Sequence, residues 1–316
     1  MRVMVAGATG AVGVRLIPLL VSAGHEVTGL TRSPAKTGAI ERAGARSAVA
    51  DALDSAAVRA AVLDARPEVV VHEVTALRNA SDLTHFDRAF AVTNRLRTEG
   101  LDHLLDAAKA AGARRVVAQS FCGWPYARTG GPVKTEEDPL DPTPPREFRN
   151  SLDAIRHVES VVAGATAFEG LVLRYGGFYG PGSGVFDGPL VDQLRRRRIP
   201  LIGDAGGWWS FLHVDDAAAA TALAVEKGAP GLYNIVDDEP APVSAWLPAL
   251  ASMIGAKPPW RIPRWLARIA AGEHMVALMT ESRAGSNLKA RGELGWAPAH
   301  PSWRQGFSEV LAAANR

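Results

Sequence analysis

The stretch Gly7-Ala8-Thr9-Gly10-Ala11-Val12-Gly13 constrains the fold of this chain more than any other feature. It joins Val3 to Ala6, which reads as a strand, to Ala11–Ala23, which has helical period. The first glycine permits a tight turn, the second lets backbone approach a phosphate, and the third lets helix and strand pack closely. The helix then offers its unpaired N–H groups and the positive end of its dipole to an anion. A glycine triplet alone could be a simple turn. The strand before it, the helix after it and its place at the start of the chain together favour a pyrophosphate-cradling turn, and so a bound dinucleotide.

The following residues alternate in the same way. His25–Thr31, Ser47–Ala50, Glu68–His72 and Arg115–Gln119 read as strands; Pro34–Ala43, Ser55–Ala65 and the long run Phe86–Ala111 read as helices. Strands separated by helices imply right-handed crossovers and a parallel sheet covered on both faces. The fold class is therefore α/β, a doubly wound parallel sheet of Rossmann type. After Ser120 the chain enters a loop over 123–146 rich in Gly, Pro and acidic residues, a length usual for functional or mobile loops. Helix and strand resume with Ser151–Gly164 and Leu171–Tyr175. From about Phe178 the elements shorten. We expect a dinucleotide-binding domain over 1–177 and a smaller α/β substrate region over 178–316, with elements around 210–227 returning to the first.

The second strand bears on which dinucleotide is held. NAD-specific sites place Asp or Glu about 20 residues after the glycines, to bond the ribose 2′-hydroxyl. Here Thr31-Arg32-Ser33 occupies that place, with Lys36 following, and Arg32 could hold a 2′-phosphate. NADP is the expected cofactor, with NAD the alternative. Asp51 could accept from the adenine amine or cap the next helix. Net charge of +2 gives no case for nucleic acid or an anionic membrane. The single cysteine, Cys122, fits a reducing compartment, and no run reaches the roughly 20 apolar residues that span a bilayer. The expected setting is cytoplasmic, without a leader.

With these residues in place, the sequence resembles the extended short-chain dehydrogenases/reductases, the NAD(P)-dependent epimerase/dehydratase group. The landmarks are the glycine turn, Val-Val-Val-His at 69–72, Asn94, Ser120, Leu-Arg-Tyr-Gly-Gly-Phe-Tyr-Gly-Pro-Gly at 173–182, Phe-Leu-His-Val-Asp-Asp-Ala at 211–217 and Glu-Leu-Gly-Trp-Ala-Pro at 293–298. The resemblance implies an active site in the cleft between the two regions. It puts Gly7, Thr9, Gly10, Ala11, Val12 and Gly13 at the pyrophosphate, and Arg32, Asp51 and Ala52 at the adenosine end. Glu73, Val74 and Thr75 would pass the ribose and nicotinamide, with Asn94 behind, and Tyr175 and Gly176 would flank the ring. Ser120 matches the family's catalytic serine. A homodimer through the long helices is also in keeping with the family.

One family motif is missing. Tyr-x-x-x-Lys normally follows the proline-rich loop, the tyrosine serving as acid/base and the lysine lowering its pKa while holding the ribose. Counting back from Glu159 gives Ile155 and Ser151, and no lysine occurs between Lys134 and Lys227. Ser120 alone is a poor acid or base. Tyr126, Tyr175, Tyr179 and His157 are the candidates to replace the tyrosine, Tyr126 foremost because it follows Ser120 directly. Arg156 is a candidate for the missing cation, against a plain solvated helix arginine. Arg195–Arg198 reads as solvated surface or as a diphosphate grip, and Trp208-Trp209 as loop packing or as the wall of an apolar pocket. His213 with Asp215-Asp216 reads as a helix start, Asp215 or Asp216 capping the helix that follows, rather than as a metal site, and Cys122 has no evident base.

Three functions stay open on these grounds. The first is an NADP(H)-dependent oxidoreductase acting on a small, largely apolar carbonyl or alcohol. The second is a non-redox epimerase, dehydratase or lyase that retains its cofactor. The third is a dinucleotide-binding sensor without catalysis.

Overall fold

The computed structural model describes residues 1–77, 85–183 and 189–314. The first half comprises β1 (Arg2–Ala6), α1 (Gly13–Ser22), β2 (Glu26–Thr31), α2 (Thr37–Arg42), β3 (Arg46–Val49), α3 (Ser55–Ala65), β4 (Val69–His72), α4 (Phe86–Arg95), α5 (Leu101–Ala110) and β5 (Arg115–Phe121). Next come β6 (Val133–Lys134), α6 (Arg149–Ala163), β7 (Glu169–Tyr175), β8 (Gly177–Tyr179), α7 (Pro189–Arg195), β9 (Leu201–Ile202), β10 (Trp208–Trp209), β11 (Phe211–His213), α8 (Val214–Glu226) and β12 (Gly231–Ile235). The chain ends with β13 (Ala241–Pro242), α9 (Val243–Met253), β14 (Arg261–Ile262), α10 (Arg264–Ala271), α11 (Glu273–Thr280), β15 (Ala284–Gly285) and α12 (Trp303–Ala314).

Seven strands form one parallel sheet in the order β3-β2-β1-β4-β5-β7-β12. Side chains alternate across such a strand, so β4 buries Val69 and Val71 on one face and Val70 on the other. The first face packs on α1 and α8 through Leu16, Ile17, Leu20, Ala217 and Ala220. The second packs on α3, α5 and α6 through Val58, Val62, Leu104, Leu105 and Val158. Both faces are covered, which is why the strands read as unbroken apolar runs. The strand order turns at β1, with β2 and β3 on one side and β4 on the other. The crevice beyond the carboxyl ends of β1 and β4 is where such sheets bind ligands.

Two details depart from the sequence expectations. The long helix is interrupted by a π-turn over Leu96–Gly100, so α4 and α5 are joined by one wide turn that buries Arg97. The stretch 34–43 begins with a 3₁₀ turn over Pro34–Lys36 before α2. The main sheet also takes in β12 at Gly231–Ile235, which pairs with β7. A separate aromatic core in the second half joins Tyr179, Phe211, Trp246, Trp303 and Phe307. Among the described residues no helix is long and apolar enough to cross a membrane.

Candidate functional site

A cavity of about 390 Å³ opens at the turn in strand order. Gly7, Thr9, Gly10, Ala11 and Val12 form its floor; Thr31, Arg32, Ser33, Lys36, Asp51 and Ala52 line one end; Glu73, Val74, Thr75, Gln119 and Phe178 line the other. Gly7 has φ +92°, and a Cβ there would lie 2.5 Å from the Glu73 carbonyl oxygen. A Cβ on Gly13 would lie 2.3 Å from the Gly7 carbonyl oxygen. Neither position tolerates a side chain, so the turn can close only with glycine. Val12 at the start of α1 provides no side-chain cap, and the first turn holds no acidic residue. The cradle therefore fits the pyrophosphate of a dinucleotide.

At the end lined by Thr31 and Asp51, Arg32 and Lys36 are exposed, and the tip of β2 carries no carboxylate. Asp51 lines the cavity and accepts from the Leu53 amide at 2.9 Å. Of the two roles open to Asp51, the helix cap belongs elsewhere: Asp54 caps α3, accepting from Ala56 N at 3.1 Å and Ala57 N at 3.0 Å.

The far end differs from the sequence picture in where the hydroxyls point. Alternation along β5 aims Gln119 into the cavity and turns Ser120 to the opposite face, beneath α6. There Ser120 Oγ donates to Glu159 Oε1 at 3.0 Å. Arg174 donates to the same carboxylate from Nε at 2.7 Å and Nη2 at 2.6 Å, and from Nη1 to the Tyr126 hydroxyl at 3.0 Å. Tyr126 donates to Asn234 Oδ1 at 2.6 Å and is fully buried, which drives its pKa far above the usual phenol range. Ser120 and Tyr126 are thus brought together in one buried network, and neither lines the cavity.

Tyr175 is also buried, with its hydroxyl 2.7 Å from Glu73 Oε1 and 2.6 Å from Thr221 Oγ1. Burial raises the Glu73 carboxyl to about 8, against the lowering effect of the Tyr175 contact. Gly176 sits against the chain: a Cβ would lie 3.0 Å from the Ser210 carbonyl oxygen. On α6, Ser151 and Ile155 are both fully buried, and Asn94 Nδ2 donates to Ser151 Oγ at 3.0 Å. Arg97, 3% exposed, lies in the field of Glu159, and burial lowers its pKa to about 10. This buried arginine was not singled out in the sequence, where it reads as one more polar residue of a helix. Gln119 and Phe178 were missed as well, although the parity of β5 carries the signal for Gln119.

The remaining candidates have structural partners. His157 binds Asp102 Oδ1 at 2.7 Å and ties α6 to α5. Arg156 binds Asp153 and the Asp141 carbonyl. Cys122 is buried, and its thiol is pushed up to about 12 by burial, so it is inert. His213, rather than either aspartate, caps α8 by accepting from the Asp215 amide. Asp215 pairs with Arg15, and Asp216 accepts from the amides of Ala299 and His300. Tyr179 is packed edge-on between His213 and Phe307, and Arg195–Arg198 are exposed. Among the described residues no three His, Cys, Asp or Glu side chains could share a metal.

An aromatic wall follows β5. Phe86 stacks on Phe90 at 4.1 Å, Trp124 lies 4.4 Å from Phe148, and Phe121 approaches Trp124 at 6.4 Å. Leu278, Met275 and the half-buried Trp209 join the same cluster. Phe90 and Trp124 are only partly buried, Phe90 stacked on Phe86 and Trp124 packed against Phe148.

Comparison with known proteins accords with this geometry. The NAD dependent epimerase/dehydratase family matches residues 3–236. A Streptomyces protein named 3-diazoavenalumate denitrifying reductase is 46% identical over 309 residues, covering 97% of this chain and 99% of its own. Among solved structures, UDP-glucose 4-epimerase of Thermotoga maritima superposes with a TM-score of 0.76 at 20% identity, covering 100% of this chain and 99% of the other. The dTDP-glucose 4,6-dehydratase of Streptomyces venezuelae, solved with NAD, gives 0.75 at 20% identity, covering 100% and 97%.

Proposed function

The chain belongs to the NAD-dependent epimerase/dehydratase family, and from that premise we propose that it is an NADP(H)-dependent reductase that replaces a diazo group on an aromatic substrate with hydrogen, releasing dinitrogen. Bound in the cavity, the reduced nicotinamide supplies a hydride. The hydride pair forms the new C–H bond at the carbon bearing the diazonium. The C–N bond breaks with its electron pair leaving on dinitrogen, so an arenediazonium ion and a hydride give an arene and N₂. No oxyanion forms, and no proton is called for at the reacting carbon.

The observation that carries this reading is that, among the described residues, no free acid stands where a carbonyl reductase needs one. The positions of the family's tyrosine and lysine hold Ser151 and Ile155, both buried. The nearby hydroxyls of Ser120 and Tyr126 are spent on Glu159 and Asn234, and that of Tyr175 is held between Glu73 and Thr221. A ketone would leave its developing alkoxide without a donor, whereas departing dinitrogen leaves nothing to protonate. The relative named as a denitrifying reductase spans the whole chain, and the aromatic wall suits a conjugated ring. In this reading Gly7 to Gly13 hold the pyrophosphate, Arg32 and Lys36 hold the 2′-phosphate, and Gln119 and Phe178 bound the ring end.

The test is incubation with NADPH and two panels, arenediazonium compounds and ketones. Nicotinamide absorbance and dinitrogen release are followed together, with deuterium at the transferable position of the cofactor. Deuterium on the ring carbon with stoichiometric dinitrogen supports the assignment. Turnover of ketones with the diazonium panel untouched would overturn it.

A further inference from the structure

Three contacts link Glu73 to the body of the protein. Glu73 Oε1 and the Tyr175 hydroxyl are 2.7 Å apart, the Tyr175 hydroxyl and Thr221 Oγ1 are 2.6 Å apart, and Thr221 Oγ1 donates to the Ala217 carbonyl at 2.7 Å. Each is hydrogen-bond distance for oxygen pairs, which repel when no hydrogen lies between them. Tyr175 and Thr221 bring two hydroxyl hydrogens to these three contacts, and the Ala217 carbonyl can only accept. A third hydrogen is required. Glu73 Oε1 is the atom positioned to carry it, completing a directed row from carboxyl to phenol to threonine to carbonyl.

The surroundings favour the same state. Glu73 is 7% exposed and is among the residues that line the cavity, as are Gln119 and Phe178. Among the described residues no cation compensates it: β7 presents Tyr175, α8 the neutral Thr221, β1 Gly7 and β5 the neutral Gln119. A buried carboxyl with no positive partner stays protonated near neutral pH, and burial holds this one at about 8.

We propose that Glu73 is a neutral acid in the free protein and with reduced cofactor, and loses its proton to solvent when oxidised cofactor is bound. A cation beside a buried carboxyl favours its ionised form. Oxidised nicotinamide is cationic and reduced nicotinamide is not. The balance is protein with Glu73 protonated plus NADP⁺, giving the complex with Glu73 ionised plus one H⁺. Glu73 thereby stabilises positive charge as it develops on the ring, and it does so without touching substrate. This rests on the dinucleotide reading of the cavity, but not on the diazo substrate.

Calorimetric titration of the intact protein with NADP⁺ and with NADPH, between pH 6 and 9 in buffers of differing ionisation enthalpy, tests it. Affinity for NADP⁺ relative to NADPH should rise by up to about tenfold per pH unit as pH climbs toward 8, then level off. Using the ratio cancels titration of the phosphates common to both. Release with NADP⁺ should approach one proton well below pH 8 and fall toward zero above it, with none released with NADPH. Glu73→Gln supplies an amide N–H in place of the acid O–H, and should flatten the ratio while preserving the fold. A pH-independent ratio in the unmodified protein, or a slope that survives Glu73→Gln, overturns the proposal alone. Failure of either dinucleotide to bind overturns the cofactor assignment as well.

Discussion

Replacing Glu159 by Gln should unfold this protein several degrees earlier, and the size of the effect follows from its neighbours. The carboxylate accepts from one edge of the Arg174 guanidinium, Nε at 2.7 Å and Nη2 at 2.6 Å, and from Ser120 at 3.0 Å. The side chains of the ion pair are only 3% and 9% exposed. Glutamine keeps the shape and removes the charge, so that Arg174 and the buried Arg97 face no anion on α6. Removing one partner of a buried pair costs about 3–5 kcal/mol. Unfolding entropy is near 2.1 cal/mol/K per residue, roughly 0.7 kcal/mol/K for 316 residues. The expected fall in Tm is therefore ~5–8 °C, read by calorimetry and by loss of far-ultraviolet ellipticity. Pairing Glu159→Leu with Arg174→Met removes both charges, and should regain most of the loss because apolar replacements of buried pairs are often neutral. A single variant within about 1 kcal/mol of the parent, or a double variant no more stable than the single, would show that this network is too hydrated to be treated as buried.

Arg32→Ser should weaken NADPH about 10–100-fold, the loss of a charge-assisted contact of ~1.5–3 kcal/mol, and leave NADH unchanged; equal weakening of both would remove Arg32 from the 2′-phosphate. Gly13→Ala should abolish dinucleotide binding in titrations, since its Cβ would lie 2.3 Å from the Gly7 carbonyl oxygen; undiminished affinity would mean the turn is not the cradle. Restoring the family pair with Ser151→Tyr and Ile155→Lys should give unstable protein rather than a ketone reductase, because both sites are fully buried; a soluble, ketone-active variant would contradict that. Glu73 binds its proton more tightly folded than unfolded, about 8 against 4.5. Its contribution is therefore present in full below 4.5 and lost as pH rises toward 8, by up to about 1.4 kcal/mol per pH unit. Stability against urea should show this decline, and Glu73→Gln should lack it.

The parallel sheet was legible because its determinants are local: three glycines set a turn, and buried strands must be apolar on both faces. The placement of Arg32 beside the glycine turn was legible for the same reason, since it follows the second strand at a fixed distance from the glycines. The reacting end was not. Ser120 lies one residue beyond Gln119, and on a strand one residue decides which face a side chain meets; a motif match reports the residue and not its direction. Tyr126 looked free in a proline-rich loop because its partners, Arg174 and Asn234, lie 48 and 108 residues further along. Arg97 was hidden by the π-turn, which shifts the helical face by a residue and turns a position that reads as surface into the interior.

The missing motif and the neutral Glu73 belong to one electrostatic argument. When a carbonyl takes hydride, positive charge appears on the nicotinamide and negative charge on the substrate oxygen, so a proton donor must face the substrate. When a diazonium takes hydride, positive charge leaves the substrate with the C–N bond and reappears on the nicotinamide. The substrate side then needs no donor, and the group that responds belongs on the cofactor side. Ser151 and Ile155 leave the first position empty of acid, while Glu73, which lines the cavity as Gln119 and Phe178 do, is the ionisable group proposed for the second. It follows that Glu73→Gln should lower kcat for a diazonium substrate more at pH 8 than at pH 6, because only near and above the carboxyl's own pKa is ionised Glu73 gained without cost. An equal loss at both pH values would reduce Glu73 to a structural bridge between β4, β7 and α8.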